Sequence, residues 1–363
     1  MFQWRVRHAQ AAALALALSA MALAAVAAWA DGPIPPPRSA DTGALMAPSA
    51  AAAEGSTSTT LVASQADRAR PADDPFSLPA EYRCEDGAFS QEAIVAHQKR
   101  RLDAINEKLH TRLKLSETAH YLIFSDADAE VTARFVRWSE ALYGSLCNEF
   151  NIDPKQRVWD GKCVLTVFAA RAKFETFAKV FDEQDVHDAG AYFAHERFGA
   201  HEPNLVHMCI PADDKTPKRL EELFAHEGTH AFFQLYRKPV TLPLWLHEGL
   251  AEYMTVVNDP TLGTLKSGPA RAAARQGVTL SSLFKHPVAK PLTHSEYSIS
   301  YTLVDYLQKS GRDKFRQFVD LMKDGQGVDA ALKTVYGFDT AGLQEKWRAS
   351  LAGASPAPRP RAA

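Results

Sequence analysis

The sequence predicts an α+β fold, in which a small mixed sheet interleaved with helices leads into a mainly helical half. Three observations carry this. Short apolar runs rich in β-branched residues, the strongest at residues 163–168, alternate with amphipathic stretches up to about residue 211. Beyond Pro217 the apolar residues recur at helical spacing. The proline-bounded breaks Lys238-Pro239 and Thr241-Leu242-Pro243 then separate two helices and let the second fold back on the first.

The first 30 residues read as an export signal. Arg5 and Arg7 precede an Ala/Leu run from 11 to 26, and Ala28-Trp29-Ala30 makes a small-residue cleavage pattern. An uncleaved anchor is the alternative, because the run is long for a signal. An exported, periplasmic or secreted body is the expectation. Residues 31–75 are rich in Ala, Pro, Ser and Thr and too poor in aromatics to offset the entropy of ordering, so they read as a disordered linker. The Pro-rich residues 354–363 read as a disordered tail. A single catalytic domain is expected over 76–353, with its sheet-containing half ending near residue 236. Of the 363 residues, 46% are hydrophobic and 23% charged, and the net charge is −2. That balance gives no reason to expect nucleic acid or an anionic membrane surface as a partner.

Within the body, a charged amphipathic helix is expected over 91–114 and a short strand over 121–124. Ser125 or Asp126 would cap a helix over 131–150. The run 163–168 reads as a central strand, 171–180 as a helix, and 189–194 and 205–210 as further strands. The next helix runs from 217 to 235. Later helices are expected over 300–309, 313–323, 328–335 and 340–351.

The chemistry concentrates in two segments. His226-Glu227-Gly228-Thr229-His230 reads HExxH, and residues at i and i+4 share a helix face, so His226 and His230 can hold one ion. Glu248, from the following helix, has the chemistry of a third ligand, leaving a fourth position open. Glu227 is placed to act as general base. Glu252, one turn after Glu248, can accept a hydrogen bond from a ligand imidazole and fix its tautomer. HExxH alone also occurs on surface helices. Here Leu223, Phe224, Ala225, Ala231, Phe232 and Phe233 flank it, so the helix should be buried, where two histidines and a glutamate need something to satisfy them. One Zn2+ per chain is the expected cofactor.

Cys84, Cys147, Cys163 and Cys209 contain no C-x-x-C pair, which argues against a thiolate metal site. In an oxidising compartment their even number predicts two disulfides, with Cys147–Cys163 the preferred pair. Four small buried side chains are the alternative. His187, His195, His201 and His207 read as surface or strand histidines rather than as a second metal site. His247 reads as a packing or rim residue.

These residues resemble the gluzincin branch of zinc metallopeptidases. His226 to His230 matches that branch's HExxH helix. Trp245-Leu246-His247-Glu248-Gly249-Leu250-Ala251-Glu252-Tyr253 is similar to its W-L-x-E-G-x-A-E-Y glutamate helix. The layout is also similar to exported bacterial proteins called peptidase-MA-like. The resemblance implies a thermolysin-like zincin fold. It also implies a tyrosine on a later helix that stabilises the oxyanion. Tyr297 is the first candidate, with Tyr301 and His294 in reserve. The G-x-M-E-N strand that binds a free amine in the aminopeptidases is absent. An endopeptidase is therefore favoured over an aminopeptidase, acting on a peptide or protein substrate. A non-catalytic, zinc-dependent binding or scaffold protein of the same fold is the alternative.

Overall fold

The computed structural model describes residues 63–64, 90–197, 203–288 and 290–352. The expected signal, tail and most of the linker lie outside them. So do Cys84 and His201.

The strands form one sheet, β1 (Ala63–Ser64), β2 (Lys114–Glu117), β3 (Tyr121–Ser125), β4 (Cys163–Phe168), β5 (Tyr192–Arg197) and β6 (Asn204–Pro211). Their spatial order is β1-β5-β6-β4-β3-β2. β4 lies between β3 and β6, parallel to both, and all six of its residues are buried. That is why its sequence is a continuous apolar run rather than an alternating one. β5 and β6 are antiparallel, with Phe193 opposite Met208 and Ala194 opposite His207. β1 falls inside the expected linker and pairs parallel with β5, Ala63 opposite Ala194.

One sheet face is covered by α1 (Gln91–Leu109) and α3 (Arg171–Phe181), the other by α2 (Ala129–Glu149) and α4 (Pro217–Leu235). α1 starts on Ser90, whose hydroxyl accepts from the Ala93 N–H, and stops at His110 with φ 51°. The helix thus ends five residues short of the expected 114, and the polar edge strand β2 begins at Lys114. Asp128, not Ser125 or Asp126, caps α2 by accepting from the Val131 N–H at 2.8 Å. Between α2, α4 and the sheet lie tilted and edge-on aromatic pairs, among them Phe135–Phe224 at 5.8 Å and Trp159–Phe232 at 6.1 Å. Each such pair contributes roughly 0.5–1.5 kcal/mol beyond its burial.

The cysteines correct the disulfide expectation. Cys147, Cys163 and Cys209 are buried free thiols, so Cys147–Cys163 is not a bridge. Cys147 on α2 and Cys163 on β4 fill the same apolar layer as small hydrophobes.

The second half is helical: α5 (Leu244–Asn258), α6 (Gly263–Arg275), the short α7 (Ser281–Phe284), α8 (His294–Lys309), α9 (Arg312–Lys323), α10 (Val328–Tyr336) and α11 (Thr340–Ala352). α6 was not expected, and α8 begins earlier than expected, on a Thr293/Glu296 capping box. Buried Lys323 at the end of α9 donates to the carbonyls of Phe233 (2.7 Å), Gln234 (3.1 Å) and Val240 (2.5 Å). It thereby satisfies the C-terminal carbonyls of α4 and fixes the crossing into α5. At the far end of the chain, the buried Trp347 indole of α11 donates to Thr302 Oγ1 of α8 at 2.9 Å. No helix among the described residues is long and apolar enough to cross a membrane.

Candidate metal centre

α4 carries His226, Glu227 and His230, and it is buried on almost every side from Leu223 onward. Thr216 caps its start and Pro217 occupies its first turn. Gly228 lets α2 approach closely: a Cβ there would lie 2.5 Å from Leu142 Cδ2, and that side chain would have to move. The short loop after α4 turns at Arg237, with φ 62°, and Pro243 precedes α5. α5 is pinned from behind by α8, because a Cβ on Gly249 would lie 2.5 Å from the Ser300 carbonyl oxygen. With Gly249 packed against α8, Glu248 faces α4.

The three expected ligands converge. His226 Nε2 and His230 Nε2 stand 3.1 Å apart, and Glu248 Oε2 is 3.4 Å from each. Two atoms each about 2.1 Å from a tetrahedral ion stand roughly 3.4 Å apart, so this triangle fits zinc. All three residues are buried, between 0% and 2% exposed. Glu248 Oε2 has no hydrogen-bond partner among the described residues, which is costly unless a cation takes that place. Both carboxylate oxygens of the fully buried Glu227 are likewise unpartnered. Burial pushes the Glu227 carboxyl up to about 7, against the pull of neighbouring His226. A carboxylate at that value is poised to accept and return a proton near neutrality.

The two imidazoles are held differently. His226 Nδ1 faces Glu252 Oε1 at 3.2 Å, as the one-turn offset from Glu248 predicts. Burial disfavours the His226 imidazolium, but Glu248 and Glu252 outweigh it and bring the ring up to about 10. His230 has no partner on Nδ1 among the described residues. Its ring is instead packed against Phe193 of β5 (centroids 5.3 Å, 30°) and His247 of α5 (4.1 Å, 20°), which also touch each other at 5.8 Å. Burial holds His230 well below its ordinary value. His247 is therefore a buried stacking residue and not part of a rim.

Several polar neighbours escaped sequence reasoning. Lys266 of α6 reaches Glu252 Oε2 at 2.5 Å and Glu222 Oε1 at 2.8 Å. Arg219 donates to Glu222 Oε2 at 2.8 Å. Glu222 precedes His226 by four residues, a helical spacing that could have flagged it. Lys266 had no such signal, because its helix was not foreseen.

The oxyanion candidates all lie on α8. His294 is exposed in its first turn, and Tyr297 is half-buried against the main core. Tyr301 is buried, its phenol pushed up to about 12 by burial and by Asp305, and it points towards Gly263.

A second buried cluster, Asp182, His207 and Cys209, occupies the other face of the sheet. His207 Nε2 lies 2.9 Å from Asp182 Oδ2, which also accepts from the Tyr192 hydroxyl at 2.5 Å. His187 is exposed on a loop, and His195 of β5 contacts Asn204 and Gln234.

Residues 216–353, the stretch that carries the centre, match the model of the Peptidase MA superfamily. A comparison with curated proteins gave no match. Among solved structures the chain is similar to an M1 zinc metallopeptidase from Deinococcus radiodurans, at 18% identity and a TM-score of 0.38. The similarity covers 69% of this chain and 54% of that one, so the chain spans about half the length of the metallopeptidase.

Proposed function

We propose that this protein is an exported, zinc-dependent metallopeptidase that hydrolyses peptide bonds in a peptide or protein substrate. The observation that carries the reading is the triangle of His226 Nε2, His230 Nε2 and Glu248 Oε2 at ligand separations, beside the unpartnered, buried Glu227 carboxylate. These three side chains would hold one zinc ion, which when bound supplies a Lewis acid and brings a water's pKa towards neutrality.

The chain's own residues do the rest. Glu227 takes a proton from the attacking water and passes it to the leaving amine, a role its raised pKa suits. Glu252 orients His226 by accepting from its Nδ1–H. Phe193 and His247 hold the plane of His230. Tyr297 is proposed to stabilise the oxyanion, with Tyr301 and His294 as the other α8 candidates. The absence of a G-x-M-E-N segment supports endopeptidase over aminopeptidase action. The leader-like residues 1–30 support export, and the near-neutral charge balance supports no role for nucleic acid.

One observation favours the non-catalytic alternative. The centre is almost wholly buried, as a closed structural zinc site is. Cleavage profiling of a mixed peptide library separates the two. Zinc-loaded wild type should cut and Glu227→Gln, equally loaded, should not. Intact peptides with both proteins would favour the scaffold.

A further inference from the structure

The Glu252 carboxylate that faces His226 has its other oxygen committed. Oε1 lies 3.2 Å from His226 Nδ1, while Oε2 receives the Lys266 ammonium at 2.5 Å. The same ammonium reaches Glu222 Oε1 at 2.8 Å, and Glu222 Oε2 receives Arg219 at 2.8 Å. His226, Glu222 and Arg219 belong to α4, Glu252 to α5 and Lys266 to α6. The contacts therefore leave α4 at the imidazole, cross two other helices and return to α4 one and two turns earlier. Two cations and two carboxylates alternate along this path, so no like charges are adjacent. The Lys266 side chain is 15% exposed and that of Glu252 12%, which limits solvent screening of their contact.

We infer that Lys266 is a positioning residue for the metal centre, fixing the Glu252 carboxylate so that it orients His226. This rests on the reading of His226, His230 and Glu248 as zinc ligands. An ammonium suits the position because its three donors let one side chain serve carboxylates from two helices. Without it, Glu252 and Glu222 face each other with no cation between them, and the carboxylate behind His226 loses its fixed orientation. A neighbour that orients a ligand is typically worth 10–100-fold in metal affinity.

The test is zinc affinity, read by chelator competition on the full chain, with the absorption spectrum of the Co2+-substituted protein alongside. Lys266→Met should weaken zinc by about 10–100-fold and alter the Co2+ spectrum. Lys266→Arg should stay within roughly threefold of wild type, since a guanidinium can also bridge two carboxylates. Lys218→Met, which removes from α4 the exposed partner of Asp259, should change neither readout. Wild-type affinity and spectrum in Lys266→Met would overturn the inference. If that variant does not fold, Glu222→Gln decides, with zinc several-fold weaker expected and an unchanged affinity overturning it. A wild type that binds no zinc would instead overturn the reading of the ligands themselves, so the two failures are distinguishable.

Discussion

The two faces of one sheet each carry a buried cluster of histidine and carboxylate, and the clusters differ in one respect. Behind β5 and β6, the Asp182 carboxylate is met by the Tyr192 hydroxyl and the His207 ring at 2.5 and 2.9 Å. On the α4 face, both oxygens of Glu227, one of Glu248 and a ring nitrogen of His230 have no hydrogen-bond partner among the described residues. Burial is alike in the two places, and so is the chemistry of the side chains. A buried polar group left without a partner costs on the order of 1–3 kcal/mol, so a fold keeps several together only where something else fills the gap. Satisfaction, more than residue type, separates a packing network from a candidate centre.

The comparison can be broken most sharply at Glu227. Glu227→Gln should retain zinc and lose about 10²–10⁴-fold in peptide turnover, whereas Asp182→Asn should keep both zinc and turnover, as measured on protein of verified metal content. Equal losses in the two variants would erase the distinction.

The histidines come next. His230→Ala should weaken zinc by roughly a hundredfold or more, since it removes a ligand outright. His207→Ala should leave zinc stoichiometry unchanged and lower unfolding free energy by about 3 kcal/mol in urea, because it leaves Asp182 buried with one partner fewer. Loss of a metal equivalent from His207→Ala would show that the second cluster also binds an ion.

A smaller effect is expected from Lys323, which belongs to neither cluster but caps α4. Lys323→Met leaves three carbonyls without their donor and should cost about 2–3 kcal/mol of stability by urea titration. A variant as stable as wild type would mean that the carbonyls find other donors.

The smallest effect is in acid. Burial works against ionisation of Glu222, but Lys266 and Arg219 prevail and hold its carboxyl below 4.5. The unfolded chain then binds more protons than the folded one in that window, so stability rises with pH there. This contribution is complete above about pH 4.5 and is lost as pH falls through the folded value. Glu222→Gln should flatten the acid limb of the stability curve by roughly 1 kcal/mol or less, given partial screening.

Much of the α4 face was legible because its chemistry is written at short range. The i, i+4 histidines, the carboxylates at 248 and 252 and the proline-bounded crossing all follow from helical spacing, and β4 follows from its β-branched run. What escaped depends on contacts between distant segments. α6 carries Pro269 inside a small-residue stretch, so its periodicity is weak and Lys266 went unnoticed. The Asp182–His207 contact needs the β5–β6 register and the placement of α3, which no local pattern encodes. The cysteine expectation failed because an even count says nothing about which side chains the core uses as filler. His247 was open between packing and rim, because the choice rests on a ring seventeen residues earlier.

The backbone contact at Gly249 ties the candidate centre to α11. α8 presses on α5 within the space of one methyl group, and α8 is itself held by the Trp347 indole through Thr302. A change at Trp347 can therefore reach Glu248 through packing alone, without touching any of the candidate ligands.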